Sequence, residues 1–280
     1  MTPPILCGTD FSENAMQAAD AAAALAIRLG TKLLLAHSLD ERGEIPEHLR
    51  PQLRAALEPR LAAEAARVRA LGADVEERVI QGVPDDGLVA LAADCRARFI
   101  VVAASGSGAL GRWMLGSVAE NTAESSRAPT LVIRASAPLV GWARGTRTLR
   151  ILAGVDFTAN SEAALRWIAG IREVGPCAIT LGFVDADPDE EDRASEETLA
   201  AMAREILGDE AATAFVRARS ARIDAHLLQI AEEWRADLIV VGTHQWRGVN
   251  RLRRASVSRR LLRDAEVSVA CVPEARPDAG

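Results

Sequence analysis

Three short segments of the sequence carry residue types that can hold a phosphorylated ligand. The first is Gly8-Thr9-Asp10, at the end of the apolar run Ile5–Gly8. The second is His37-Ser38, closing the run Lys32–His37. The third is Ala103-Ala104-Ser105-Gly106-Ser107-Gly108-Ala109-Leu110-Gly111, followed by a further turn at Gly116-Ser117. Glycine lets a backbone approach phosphate closely, and a helix N-terminus offers free N–H groups with a favourable dipole. Gly116 and Ser117 stand where a helix over 117–126 is expected to begin. Asp10 repels phosphate, so the roles open to it are a bridging Mg²⁺ or a ribose hydroxyl.

Other chemistries find less support. His37, His48, His226 and His244 share no ligand spacing. The four cysteines, Cys7, Cys95, Cys177 and Cys271, lie far apart with no CxxC pair, so neither a metal site nor a disulfide framework is indicated. Cys7, inside the first apolar run, reads as a small core residue. No serine has a visible His/Asp partnership, and no GxSxG elbow is present. Trp113 and Trp246 fall in loops, where burial is the expected role.

The elements that must position these residues follow from hydrophobic pattern. Short apolar runs at Ile5–Gly8, Lys32–His37, Val75–Ile80, Phe99–Ala103 and Thr130–Arg134 read as strands. Asn14–Leu29, Pro51–Leu71, Asp85–Arg96 and Ser117–Ser126 read as helices, with Ser12 and Ser117 as caps. Strands apolar throughout and separated by helices imply a buried parallel sheet with right-handed crossovers. In such a sheet, ligands bind beyond the carboxyl ends of the strands, where strand order reverses.

The chain then repeats itself. Ile5-Leu6-Cys7-Gly8-Thr9-Asp10-Phe11-Ser12 recurs as Ile151-Leu152-Ala153-Gly154-Val155-Asp156-Phe157-Thr158. Arg98-Phe99-Ile100-Val101-Val102-Ala103 is echoed by Asp237-Leu238-Ile239-Val240-Val241-Gly242, and Gly116-Ser117-Val118 by Ala255-Ser256-Val257. Strands are expected near 149–155, 178–184, 215–219, 237–242 and 267–272, with Ala135–Arg147 as the linker between copies. Two domains follow, 1–137 and 148–275.

Composition sets the outer bounds. Of 280 residues, 49% are hydrophobic and 26% charged, which excludes a disordered or fibrous chain. Aromatics make up 4% with no Tyr, which argues against a base-stacking nucleic-acid platform. A net charge of −6 gives no general attraction to nucleic acid or to an anionic membrane. The longest uncharged apolar stretch, Phe99 to Gly111, is too short to span a bilayer, and Asp10 interrupts the first apolar run. A cytoplasmic protein is therefore expected.

These residues resemble the universal stress protein family in its tandem two-domain form. The family signature is Gly, two residues, Gly, nine residues, then Gly-Ser or Gly-Thr. Gly106 and Gly116-Ser117 match it, while Ala103 stands at the first glycine. Thr9-Asp10-Phe11-Ser12, Gly82-Val83-Pro84 and Leu115-Gly116-Ser117-Val118-Ala119-Glu120 are also similar to the family.

The resemblance implies an α/β fold. It would hold two tandem Rossmann-like (adenine nucleotide alpha hydrolase-like) domains, each a five-stranded, mostly parallel sheet flanked by helices. It implies ATP, with Mg²⁺, in the first domain. Adenine would lie against Gly8, Thr9 and Ser38, and ribose and phosphates on Ala103, Ser105, Gly106, Gly116, Ser117 and Val118. Asp10 matches the family's acidic residue near the nucleotide and would meet Mg²⁺ only through the ATP. In the second copy the corresponding glycines fall on Gln245 and Ala255, so its site is expected to be degenerate. That copy instead gains Arg247, Arg251, Arg253, Arg254, Arg259, Arg260 and Arg263, which could grip an anion or an acidic partner, or form a solvated helix face beside Asp264 and Glu266. Single-domain relatives pair through their last strands, so 130–134 is expected to pair with 267–272 in an intramolecular pseudo-dimer, with a homodimer also open. The function implied is regulatory rather than enzymatic, with an unidentified protein partner. A slow ATPase using Asp10, Ser107 and Ser117, or an interaction module without nucleotide, are the alternatives.

Overall fold

The computed structural model describes residues 2–39, 47–106, 115–156, 158–185, 193–208, 212–220, 222–243 and 257–274. The chain divides into two units, Met1–Arg144 and Gly145–Gly280.

The first unit holds strands β1 (Ile5–Gly8), β2 (Leu33–Leu39), β3 (Val75–Gln81), β4 (Phe99–Ala103) and β5 (Thr130–Ile133). Its helices are α1 (Glu13–Leu29), α2 (Arg50–Arg69), α3 (Pro84–Asp94), α4 (Ser117–Ser125) and α5 (Ala137–Ala143). The strands lie in the order β3-β2-β1-β4-β5, every neighbouring pair parallel. Ile5, Leu6, Cys7, Ile100 and Val101 are all fully buried, because helices cover both faces of the central strands. From β1 the chain steps outward through β2 to β3, then crosses back to β4 on the other side of β1. The helices after β1 and β4 therefore leave toward opposite faces, and a crevice opens between the two carboxyl ends.

Helix α1 fits this sheet through size. Its buried face is almost entirely alanine, with Leu25 the exception, so it lies close on β1 and β4. Ser12 caps it by accepting the Ala15 N–H, and Gly30 ends it with φ 60°, a left-handed turn that suits glycine. Helix α2 is tied to α1 by Arg67, which donates to Asp20 at 2.6 Å and to both oxygens of the buried Glu64 at 2.8 Å.

The second unit repeats the plan with β6 (Leu149–Gly154), β7 (Cys177–Asp185), β8 (Ala212–Arg219), β9 (Leu238–Thr243) and β10 (Ser268–Pro273). Its helices are α6 (Ala159–Arg172), α7 (Arg193–Leu207), α8 (Ile223–Glu233) and α9 (Val257–Asp264). The order is β8-β7-β6-β9-β10, again parallel throughout. Both units are Rossmann-like five-stranded sheets flanked by helices.

Two local expectations change. The segment 135–147, read as a linker, folds in part as α5. Pro138 is tolerated in its first turn, and Leu139, Trp142 and Ala143 bury against α1. Ser117 does not cap α4. Gly116 holds the cap position, with no side-chain hydrogen bond, and Ser117 is the first helical residue.

Candidate functional site

The structure brings Gly8, Thr9, Asp10, Ser38, Ala103, Ser105, Gly106, Gly116, Ser117 and Val118 around one cavity of about 460 Å³. It lies at the carboxyl ends of β1 and β4, the crossover point of the sheet. His37, Pro84, Leu88 and Leu115 complete the wall together with small residues. Sequence reasoning missed Leu88, whose signal was an apolar position one turn into a helix that starts at this end of the sheet. Ser107 and Trp113 lie outside the described residues.

Backbone closeness explains the glycines. A Cβ on Gly8 would come within 2.8 Å of Leu88, so α3 packs directly onto the end of β1. A Cβ on Gly106 would stand 2.4 Å from the Asp10 carboxylate, so a larger residue there would have to displace the Asp10 side chain. Gly82 has φ +99°, a left-handed turn, and its carbonyl accepts the Ser38 hydroxyl at 2.8 Å. That bond ties the end of β2 to the start of α3. At Gly116 the nearest atom to an added Cβ is the Ala104 oxygen at 3.6 Å, and the Gly116 N–H donates to that same oxygen at 2.7 Å.

The loop after β1 is held by its own polar groups. Asp10 Oδ1 accepts the Ser12 N–H at 3.0 Å, and Thr9 Oγ1 accepts the Phe11 N–H at 3.1 Å. Phe11 carries a positive φ of 64°, uncommon for a non-glycine residue. Its ring lies 4.5 Å from His37 and beneath the Arg60 guanidinium at 4.6 Å, a stack joining α2, β2 and this loop. His37 Nδ1 sits 2.7 Å from the Thr9 carbonyl. A carbonyl only accepts, so Nδ1 carries the proton and Nε2 is left as the acceptor of the neutral ring. Ser105 is buried and accepts from Asn14 Nδ2 at 2.9 Å, linking the β4 loop to α1.

Electrostatically the cavity carries little formal charge. Asp10 and His37 are the titratable side chains among its described lining residues, and no Arg or Lys is among them. The positive pole present there is the N-terminus of α4, which has no side-chain cap. Among the described residues no group of three or more His, Cys, Asp or Glu is placed to hold a metal. Cys7, in β1 below the cavity, is fully buried, and burial pushes its thiol up to about 12. No helix among the described residues is long and apolar enough to cross a membrane.

The second unit treats the same positions differently. A Cβ on Gly242 would lie 2.5 Å from the Asn160 backbone, so the first turn of α6 rests on the end of β9. Its counterpart in the first unit, Ala103, carries a methyl group and lines the cavity. Asn160 is buried, whereas its counterpart Asn14 is exposed. Asp156 Oδ1 accepts from the Thr158 N–H, the Thr158 hydroxyl and the Ser161 hydroxyl.

Gln245, Ala255, Ser256, Arg247, Arg251, Arg253 and Arg254 lie outside the described residues, as do His244 and Trp246. Arg259, Arg260 and Arg263 fall on α9. Arg260 pairs not with Asp264 or Glu266 but with Asp224, at 3.0 Å.

Fold and site together define a tandem Rossmann-like α/β protein with a glycine-lined cavity at the crossover point of its first domain. A sequence model of the universal stress protein family matches residues 1–134 and again 148–273. The chain belongs to the universal stress protein family, in its two-domain form. The Thermus aquaticus protein named "Universal stress protein in QAH/OAS sulfhydrylase 3'region" is 32% identical over 140 residues, 48% of this chain and all of that one. The crystal structure of a universal stress protein from Archaeoglobus fulgidus DSM 4304 superposes with a TM-score of 0.77 at 20% identity. It covers 97% of this chain and 98% of that one, and the likeness is one of fold.

Proposed function

We propose that this chain is a cytoplasmic stress-response regulator that binds ATP in its N-terminal domain. The observation that carries the reading is the convergence of all ten sequence-selected residues on one cavity at the sheet's crossover point. The residues present suit a nucleotide. The volume lies within the usual range for small-ligand sites, and the uncapped α4 offers bare N–H groups beside Gly116. Gly8, Thr9 and Ser38 would face the base, and Ala103, Ser105, Gly106, Gly116, Ser117 and Val118 the ribose and phosphates. Mg²⁺ bound with the nucleotide would offset phosphate charge near Asp10. The Asp10 carboxylate, already accepting the Ser12 N–H and pressed against Gly106, suits a positioning role better than that of a base.

The mechanism is then binding rather than bond-making. Occupancy of the first domain biases affinity for a protein partner, and the second domain, domain boundaries near 137 and 148 included, is a scaffold whose own site has degenerated. The packing of Asn160 on Gly242 supports that degeneracy. Pairing of 130–134 with 267–272 would make the two copies a pseudo-dimer.

Titration calorimetry with Mg-ATP tests this, beside Gly116→Arg. An added Cβ at Gly116 meets nothing closer than 3.6 Å, so the variant is expected to fold and its longer side chain to occupy the cavity. Micromolar binding near one per chain, lost in the variant, is expected. No heat from the parent protein would overturn the reading.

A further inference from the structure

In the second domain one carboxylate holds two arginines. Asp224, on the first turn of α8, is 1% exposed, yet its Oδ2 accepts from Arg222 at 3.1 Å and its Oδ1 from Arg260 of α9 at 3.0 Å. One arginine would neutralise Asp224, so the second is surplus charge. Each contact uses a single N–H of a guanidinium that carries five donors. The remaining donors belong to side chains that stay 67% and 43% exposed for Arg222 and Arg260. Among the described residues, Asp224 is the only acid either one meets.

Position adds a second argument. Arg222 is the N-cap residue of α8 and makes no side-chain cap, so the free N–H groups of an 11-residue helix begin beside its guanidinium. In the first domain the matching positions are Val83 and Asn121, neither basic, and the neighbours of Asn121 are Glu120 and Glu124 where α9 has Arg259 and Arg263. The basic character is thus particular to this copy, and it lies at the end of the sheet where α/β proteins bind ligands.

We propose that Arg222 and Arg260, bound to the two oxygens of the same buried carboxylate, form a clamp for a phosphate-type dianion in the second domain. Planar guanidinium forks bind tetrahedral oxyanions through paired, charge-assisted hydrogen bonds, and a buried carboxylate that fixes both forks removes much of the ordering cost. The ligand is either free phosphate or the phosphate of a small phosphorylated molecule. This site is separate from the first-domain cavity, and it stands or falls independently of ATP binding there.

The test uses the full chain carrying Gly116→Arg, which blocks the first cavity and leaves α8 and α9 untouched. Inorganic phosphate and AMP are titrated separately while the arginine Nε–Hε NMR signals of Arg222 and Arg260 are followed. Saturable shifts at both arginines in the millimolar range or tighter are expected, with no saturation by chloride at matched ionic strength. Tighter binding of AMP points to a phosphorylated molecule, and equal binding to free phosphate.

Removing the arginines alone strands a buried carboxylate, so the control is Arg222→Gln/Asp224→Asn/Arg260→Gln, which is neutral throughout. It should retain the parent's circular dichroism, and phosphate binding followed by calorimetry should weaken by about tenfold or more for the loss of charged hydrogen bonds. Absence of saturable shifts with both probes, equal saturation by chloride, or undiminished binding in the folded triple variant would overturn the proposal.

Discussion

The contact between Gly242 and Asn160 yields a sharp prediction about why the second domain differs from the first. A Cβ at position 242 would stand 2.5 Å from both the carbonyl carbon and oxygen of Asn160 and 2.6 Å from its Cβ. Ordinary carbon contacts lie at ~3.5–4.0 Å, so Gly242→Ala must push the first turn of α6 outward by about 1 Å. Two of the three obstructing atoms are backbone, and no rotamer change relieves them. Overpacking of this kind costs about 1–3 kcal/mol. For a domain of this size that is a fall in Tm of roughly 4–12 °C in a calorimetric scan of the full chain. The mirror change, Ala103→Gly, removes only a methyl from the rim of a cavity and should cost about 1 kcal/mol, chiefly from the greater freedom of glycine in the unfolded chain. ATP titration of Gly242→Ala should match the parent. If Gly242→Ala melts at or above the parent temperature, the tight seat of α6 on β9 is wrong, and with it the explanation of that glycine as a packing residue.

Three further outcomes test the framework around the site. Cys7 should resist iodoacetamide in the native protein near pH 8 while the partly exposed Cys177 is alkylated, read by peptide mass spectrometry; equal labelling would contradict the burial of β1. Because folding raises the Cys7 thiol from about 9.0 to about 12, it favours the neutral form. That contribution to stability is whole below pH ~9 and is lost as pH rises toward ~12, so a Cys7→Ala chain should show a shallower alkaline loss of stability. Ser12→Ala removes the cap of α1 and should lower stability by about 1 kcal/mol in urea titration; no change would mean the Ser12–Ala15 bond contributes nothing.

Much of this protein is written in local pattern. Runs such as Ile5–Gly8 and Phe99–Ala103 are apolar at every residue, and only a strand covered on both faces suits such a run. The echo of those runs in the second half announces a duplicated sheet. The glycines and serines at strand ends mark the cavity because turns and helix N-termini demand particular residues locally. Helix α5 escaped notice because Pro138 and Gly141 read as breakers, while burial of Leu139 and Trp142 against α1 outweighs their low propensity.

Identity of a residue, however, does not disclose its neighbour. Gly242 looks in sequence like a retained ligand glycine, and only the descent of α6 onto it reveals a packing role. Glycine at 106 matches a spacing, yet the atoms a side chain there would meet belong to Asp10, almost a hundred residues earlier in the chain. Asp224 is an unremarkable acid in the first turn of a helix until α9 folds over it and delivers Arg260. Secondary structure and duplication follow from short-range periodicity, which one chain segment carries alone. Close approach, burial of charge and the pairing of distant side chains arise only when helices settle on the sheet, and those decided which positions form a cavity and which are sealed.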